Sequence, residues 1–228
     1  MDMRGAWIFV VLIAVAGGIA YLGHHLKQRR RQGLAFAAKQ LGLRFALADP
    51  FDTLLEPFEL LRKGEGRGVE NVMWGVWGDL ECRLFDYWYY EESSDSKGNR
   101  SRTYHRFSCV IASVEAACPP LTLAGENLFT RLGDRLGFRD IELESEEFNR
   151  AFTLKSADRK FAVDLCDARM MEWLLEHGDG YGFEVSGDRL LASTRRLAPT
   201  RLIPLVGTLR AFRDQIPSVV FSLYPKPG

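Results

Sequence analysis

The sequence predicts an α+β protein: one N-terminal transmembrane helix, then an antiparallel β-meander with helices, then a C-terminal β-hairpin and helix. Three observations predict it. An uncharged apolar run over 7–23 gives way at once to Lys27, Arg29, Arg30 and Arg31. Aromatic and β-branched residues dominate 69–114, interrupted by Gly78-Asp79 and by the polar stretch ESSDSKGNRS. Beyond Pro119-Pro120 short strand patterns mix with helical ones, an order that differs from alternating βαβ units. The expected division is a short extracytoplasmic N-terminus over 1–5, a transmembrane helix over 6–24, a basic juxtamembrane segment with a short helix over 25–42, and a cytoplasmic α+β domain over 43–228.

As a helix, 7–23 would span about 26 Å, close to a hydrocarbon core of about 30 Å once its flanks are added. Trp7 and Tyr21 stand near its ends, where amphipathic rings favour the headgroup layer. Ala14-Val15-Ala16 and Gly18-Ile19-Ala20 offer the alternative of a cleaved signal peptide, but 1–5 carries only Arg4 and Asp2 as charges. The stronger cationic flank follows the run, which favours an uncleaved anchor with the C-terminal domain in the cytoplasm. The expected partners are the lipid bilayer, anionic lipid headgroups held by Lys27, Arg29, Arg30 and Arg31, and an unidentified membrane or cytoplasmic protein.

Further along, QGLAFAAKQLG places Leu34, Ala38 and Leu41 on one helical face with Gly42 as its stop. A strand over 43–47 and an interrupted helix around Pro57 lead to three meander strands, VENVMWGVW, LECRLFDYWYY and RTYHRFSCVIASV. Helical faces follow at Leu128, Phe129, Leu132 and Leu136, at Phe148, after Asp158 and after Asp167. DIELES reads as a short strand, 181–185 and 189–194 as a hairpin about Ser186-Gly187-Asp188, and Leu202, Val206, Leu209 and Phe212 as a final helix ended by Pro217.

Lys plus Arg and Asp plus Glu are equal at 30 each, so no global field selects nucleic acid, and none is expected as a partner. Cys82, Cys109, Cys118 and Cys166 form no C-x-x-C pair; Cys82 and Cys109 fall on neighbouring strands, where two reduced thiols are expected. The P-loop, the G-x-S-x-G elbow and H-E-x-x-H are absent, which excludes the enzymes that depend on those local signatures. The glycines of KGEGRGVENVMWGVWG precede strands and no helix, so they read as turns and close strand packing. His24 and His25 diverge on a helix, His105 and Cys109 lie about 13 Å apart on a strand, and the acids Glu142, Glu144, Glu146 and Glu147 read as a solvated face. No cofactor, metal or catalytic residue is expected. Trp74, Trp77, Tyr87, Trp88, Tyr89 and Tyr90 are the candidate recognition surface, against the alternative that such rings form the meander's core.

Two stretches, PFELLRKGEGRGVENVMWGVWGDLECRLFDYWYY and DIELESEEFNRAFTLKSADRKFAVDLCDARMMEWLL, resemble segments of a bacterial, often actinobacterial, family of membrane-anchored proteins of unknown function. The second also resembles the core of a broader uncharacterised bacterial domain, in which an acidic residue and Phe-Asn precede a strand and the next helix carries Met-Glu. The resemblance implies a bacterial source and one membrane span before a cytoplasmic α+β domain; it carries over no catalytic residue. Two classes of function follow as expectations: a membrane-tethered interaction or sensory module, and alternatively a membrane-associated enzyme with an unrecognised site.

Overall fold

The structure is a computed structural model describing residues 3–95, 98–125 and 138–226, with the backbone alone over 3–10. Its first element, α1 (Met3–Leu41), is one unbroken helix of 39 residues that stops at Gly42, φ +71°. Strands β1 (Arg44–Ala46), β2 (Gly66–Trp77), β3 (Leu80–Ser94) and β4 (Arg100–Gly125) follow, then β5 (Arg139–Asp140), α2 (Glu146–Ala151), β6 (Phe152–Ser156), α3 (Arg159–Leu165), α4 (Ala168–His177), β7 (Tyr181–Arg195), α5 (Leu202–Gln215) and α6 (Ser218–Leu223). The described strands form one antiparallel sheet in the order β1-β2-β3-β4-β6-β5, with β7 also paired along β4. This α+β architecture contains the expected meander as β2-β3-β4.

The expected transmembrane helix over 6–24 is corrected. Among the described residues no helix is long and apolar enough to cross a membrane. Where side chains are described, the uncharged part of α1 covers 11–26, about 24 Å of helix against a hydrocarbon core of about 30 Å. The remainder of that expectation, and the N-terminus over 1–5, falls on side chains outside the described residues. The expected helix over 126–136 also lies outside them.

Period-two alternation divides the sheet into two faces. Cys82 and Leu84 of β3, Val110 and Ala112 of β4, and Leu190 and Ala192 of β7 face the helices, packing with Leu34 and Ala38 of α1, Leu174 of α4 and Leu205, Leu209 and Phe212 of α5. Phe85, Tyr87 and Tyr89 face the other way, with Phe107, Cys109 and Ile111, beneath Phe58, Leu60 and Leu61. Two short 3-10 turns, Thr53–Leu55 and Leu60–Arg62, stand where the sequence suggests an interrupted helix. Cys82 and Cys109 therefore lie on opposite faces, and all four cysteines are free and buried.

Helix starts follow the sequence closely. Ser145 Oγ accepts from Phe148 N at 3.2 Å, Asp158 Oδ1 from Phe161 N at 3.0 Å and Asp167 Oδ1 from Met170 N at 2.8 Å, each satisfying an orphan donor at an N-terminus. The expected C-terminal hairpin is corrected: 181–195 is one strand, β7. Gly187, with φ +58°, pairs with Cys118 at a register shift, so the Ser-Gly-Asp segment forms an irregularity inside a continuous ladder. Pro119 and Pro120 sit within β4 beside that shift, where the ladder is already interrupted. DIELES contributes only Asp140 to the sheet, as the second residue of β5, although Ile141 N still donates to Leu154 O at 2.9 Å. The polar loop shortens as well, because β3 runs to Ser94 and β4 begins at Arg100.

Gly64 has φ +77°, and a Cβ there would stand 2.6 Å from the backbone oxygen of Tyr90. Both the left-handed conformation and the contact resist a side chain. Gly64→Ala is expected to cost about 1–3 kcal/mol, read as a lowered denaturant midpoint at unchanged slope; an unchanged midpoint would show that β2 enters the sheet by a different path.

Candidate functional site

The cationic cluster after the apolar run acts as an attachment to the sheet. Arg30 closes a two-pronged ion pair on Asp86 of β3, Nε to Oδ2 at 2.8 Å and Nη2 to Oδ1 at 2.6 Å, and its Nη1 donates to Leu197 O at 2.6 Å. Asn71 Nδ2 donates to the same Oδ2 at 2.9 Å and Arg196 Nη2 approaches it at 3.4 Å. Asn71 reaches Asp86 because β2 bulges between Glu70 and Met73, with Asn71 at φ +58°. Lys27, one helical turn before Arg30, pairs with Glu70 at 3.0 Å. Arg29 points to solvent and Arg31 is half-buried, its Nε without a partner among the described residues. Of the four expected lipid-flanking cations, two thus bind the protein's own acids.

Above this junction lies a cavity of about 510 Å³. Lys27, Arg30, Arg106 and Arg196 bring four cations to its wall, with Glu70 the one acid, and Gly23, Leu26, Leu197 and Ala198 complete it. Arg196 has its pKa lowered by burial, opposed by Asp86 and reinforced by Arg30 and Arg106.

The six rings of the expected recognition surface separate. Tyr87 and Tyr89 are buried in the second core, and Trp74 packs against that core while meeting Phe51 edge-on at 5.2 Å. Trp77 packs against the main core. Trp88 and Tyr90 are half-buried on the helix-side face, where Tyr104 joins them at 6.1 and 5.4 Å between ring centroids. Gly66 and Gly68 allow this, since a Cβ at either would stand within 3 Å of the Tyr90 or Trp88 ring. Arg106 stands over Tyr104 at 5.7 Å, linking the ring group to the cavity. Tyr104 was missed in the sequence because it precedes the apolar part of its strand.

A buried acid was missed as well. Glu184 of β7 is 4% exposed and accepts from Glu59 N at 2.6 Å and Leu60 N at 2.9 Å, capping the second 3-10 turn. Burial pushes its pKa up to about 7, although those two donors and the nearby Lys63 oppose the shift. Burial brings Lys63 down to about 8. These groups hold the 53–62 segment to the sheet. His105 stacks on Tyr89 at 4.7 Å and meets Glu91, while Cys109 is fully buried and its thiol pKa is raised by desolvation, an inert pairing for nucleophilic chemistry. The acids near Glu142 form no cluster that could hold a metal ion among the described residues.

This geometry defines an antiparallel α+β domain with a long N-terminal helix bolted to its sheet. No family model and no curated protein matches the chain. Among solved structures it resembles the crystal structure of the mycobacterial trehalose monomycolate transport factor A, TtfA, with a TM-score of 0.59 at 14% identity, over 88% of this chain and 97% of that one. The likeness is one of fold.

Two predictions follow from the buried acids. Arg30→Ala leaves Asp86 with only Asn71 and Arg196, and is expected to lower stability by about 3 kcal/mol and to expose α1 to limited proteolysis near Gln32; Arg30→Lys, lacking the planar fork, should recover only part. Glu184 has its folded pKa raised above the ordinary 4.5 to about 7. Its contribution is therefore fully present below about 4.5 and lost as pH rises through 7, a change of about 3 kcal/mol at most. In Glu184→Gln the fall in stability across that window should flatten; an unchanged profile would assign it to other groups.

Proposed function

We propose that this protein is a membrane-associated interaction module that positions a ring-bearing sheet face beside a bilayer for a protein partner. The observation that carries the reading is the state of α1 above the cavity. Val11, Leu12, Ile13, Val15, Ile19, Leu22 and Leu26 are each more than half exposed, and at about 100° per residue all but Ile13 share one side of the helix. Among the described residues such a helix has no apolar partner, and the acyl region of a membrane supplies one. Arg30 and Asp86 fix that helix to the sheet, so the exposed edge of Trp88, Tyr90 and Tyr104 is held at a set attitude to whatever receives α1.

The setting proposed is the cytoplasmic face of a bacterial cell membrane, whose anionic leaflet suits the cations at the helix foot. The likeness in fold to a protein named as a transport factor supports an accessory role in a transport assembly over a catalytic one. Neither buried acid lines a described cavity in a way that favours the enzyme reading.

The test is flotation of the full chain with neutral phosphatidylcholine vesicles. Ile13 and Ile19 are 69% and 68% exposed, so Ile13→Lys with Ile19→Lys should leave the domain's cooperative unfolding intact. The pair is expected to reduce vesicle binding about a hundredfold or more. Undiminished flotation would sink the membrane reading.

A further inference from the structure

We infer that the cavity at the foot of α1 is a binding site for the phosphate group of an anionic lipid headgroup, an inference that rests on the membrane-associated reading above. Its charge is unbalanced. Lys27, Arg30, Arg106 and Arg196 face only Glu70 and the underlying Asp86, both of which are already engaged by Lys27 and Arg30. Arg106 has no acidic partner among the described residues and is exposed. Arg196 holds its acids loosely, at 3.4 Å from Asp86 and 3.9 Å from Glu70, and its Nε is buried without a partner. Two guanidinium groups therefore keep donors in hand at one place, which is the arrangement that recognises a phosphate.

The cavity's other features favour a lipid as the source of that phosphate. A volume of about 510 Å³ exceeds what a lone phosphate fills and suits a headgroup with its glycerol. Its apolar wall of Leu26, Leu197 and Ala198 adjoins the exposed apolar turns of α1, so chains leaving the glycerol continue along the same surface that meets the bilayer. The phosphate enters as an ion and no bond is made or broken.

The experiment compares the full chain on phosphatidylcholine vesicles with and without phosphatidylglycerol, and reads the ratio of the two affinities. Arg106→Gln is the chosen variant because Arg106 lies outside the Asp86 network. It is expected to lower the ratio about fivefold. Arg100→Gln changes the net charge equally at an exposed position on the same strand, about 20 Å away, and should leave the ratio as in the parent. An equal loss from both variants, or from neither, overturns the site in favour of a diffuse field or none. Inorganic phosphate, added against a chloride control of matched ionic strength, should abolish the preference only in large excess over the lipid; equal potency overturns the lipid assignment and leaves a soluble phosphate as ligand. Neutral-vesicle binding reports the underlying reading separately. Without it, a surviving Arg106-dependent preference upholds the site and removes only the apolar attachment, while binding to neither vesicle removes both.

Discussion

A single carboxylate organises the junction on which the rest of the molecule depends. Asp86 is 4% exposed, and burying an ionised group there is affordable only because donors arrive from three separate parts of the chain. Arg30 comes from α1, Asn71 from the bulge of β2 and Arg196 from the residue that follows β7. Each partner explains a local irregularity. Asn71 tolerates a left-handed backbone where most side chains would be strained. Arg30 fixes the rotation of α1, and Leu34 and Ala38, at i+4 and i+8 on the same face, consequently enter the main core. Its third bond, to Leu197 O, holds the chain where it turns from β7 toward α5.

Because α1 is continuous, this local clamp acts at a distance. A helix of 39 residues is about 58 Å long, and among its described side chains only those toward the C-terminal end pack against the domain. Gly17, Gly18 and Gly23 lie in it without breaking it. Orientation set at Arg30 is therefore transmitted to the exposed apolar turns, and the sheet face bearing Trp88, Tyr90 and Tyr104 shares the same reference. A flexible tether would leave that attitude undefined.

Much of this was legible wherever the deciding interaction is local. Ser145, Asp158 and Asp167 announce their helices because each cap bonds three residues ahead. The meander strands announce themselves through composition and intervening turns. Interactions across long sequence separations were not legible. Arg30 and Asp86 stand 56 positions apart, so the cations after an apolar run read as a lipid flank and only the fold reveals their internal partners. The hairpin expected at Ser186-Gly187-Asp188 rests on turn chemistry that the structure uses for a bulge, since pairing with the long β4 outweighs a local reversal. Nothing local in 181–185 marks Glu184, which becomes buried only as the 53–62 segment folds over it. The six rings could be counted in the sequence, but the faces of Trp74 and Trp77 depended on a bulge that shifts the alternation of β2, while Tyr87, Trp88, Tyr89 and Tyr90 alternate along β3.

The two buried acids also show why the helix-side face suits recognition of an anion. Glu184 is met mainly by backbone N–H groups, which are fixed by the chain path and have no alternative ligand. Asp86 is met by guanidinium groups, and one of them, Arg196, also borders the cavity. Burial first, and then the like charges of Arg30 and Arg106, lower the Arg196 pKa, so the three guanidinium groups repel one another there. An anion held among them would relieve that repulsion and leave the bonds from Arg30 to Asp86 in place. By linkage, whatever strengthens anion binding strengthens the docking of α1, and a correctly docked α1 is in turn what assembles the cavity. Attachment to a membrane and order at the helix foot would then be two readings of one equilibrium.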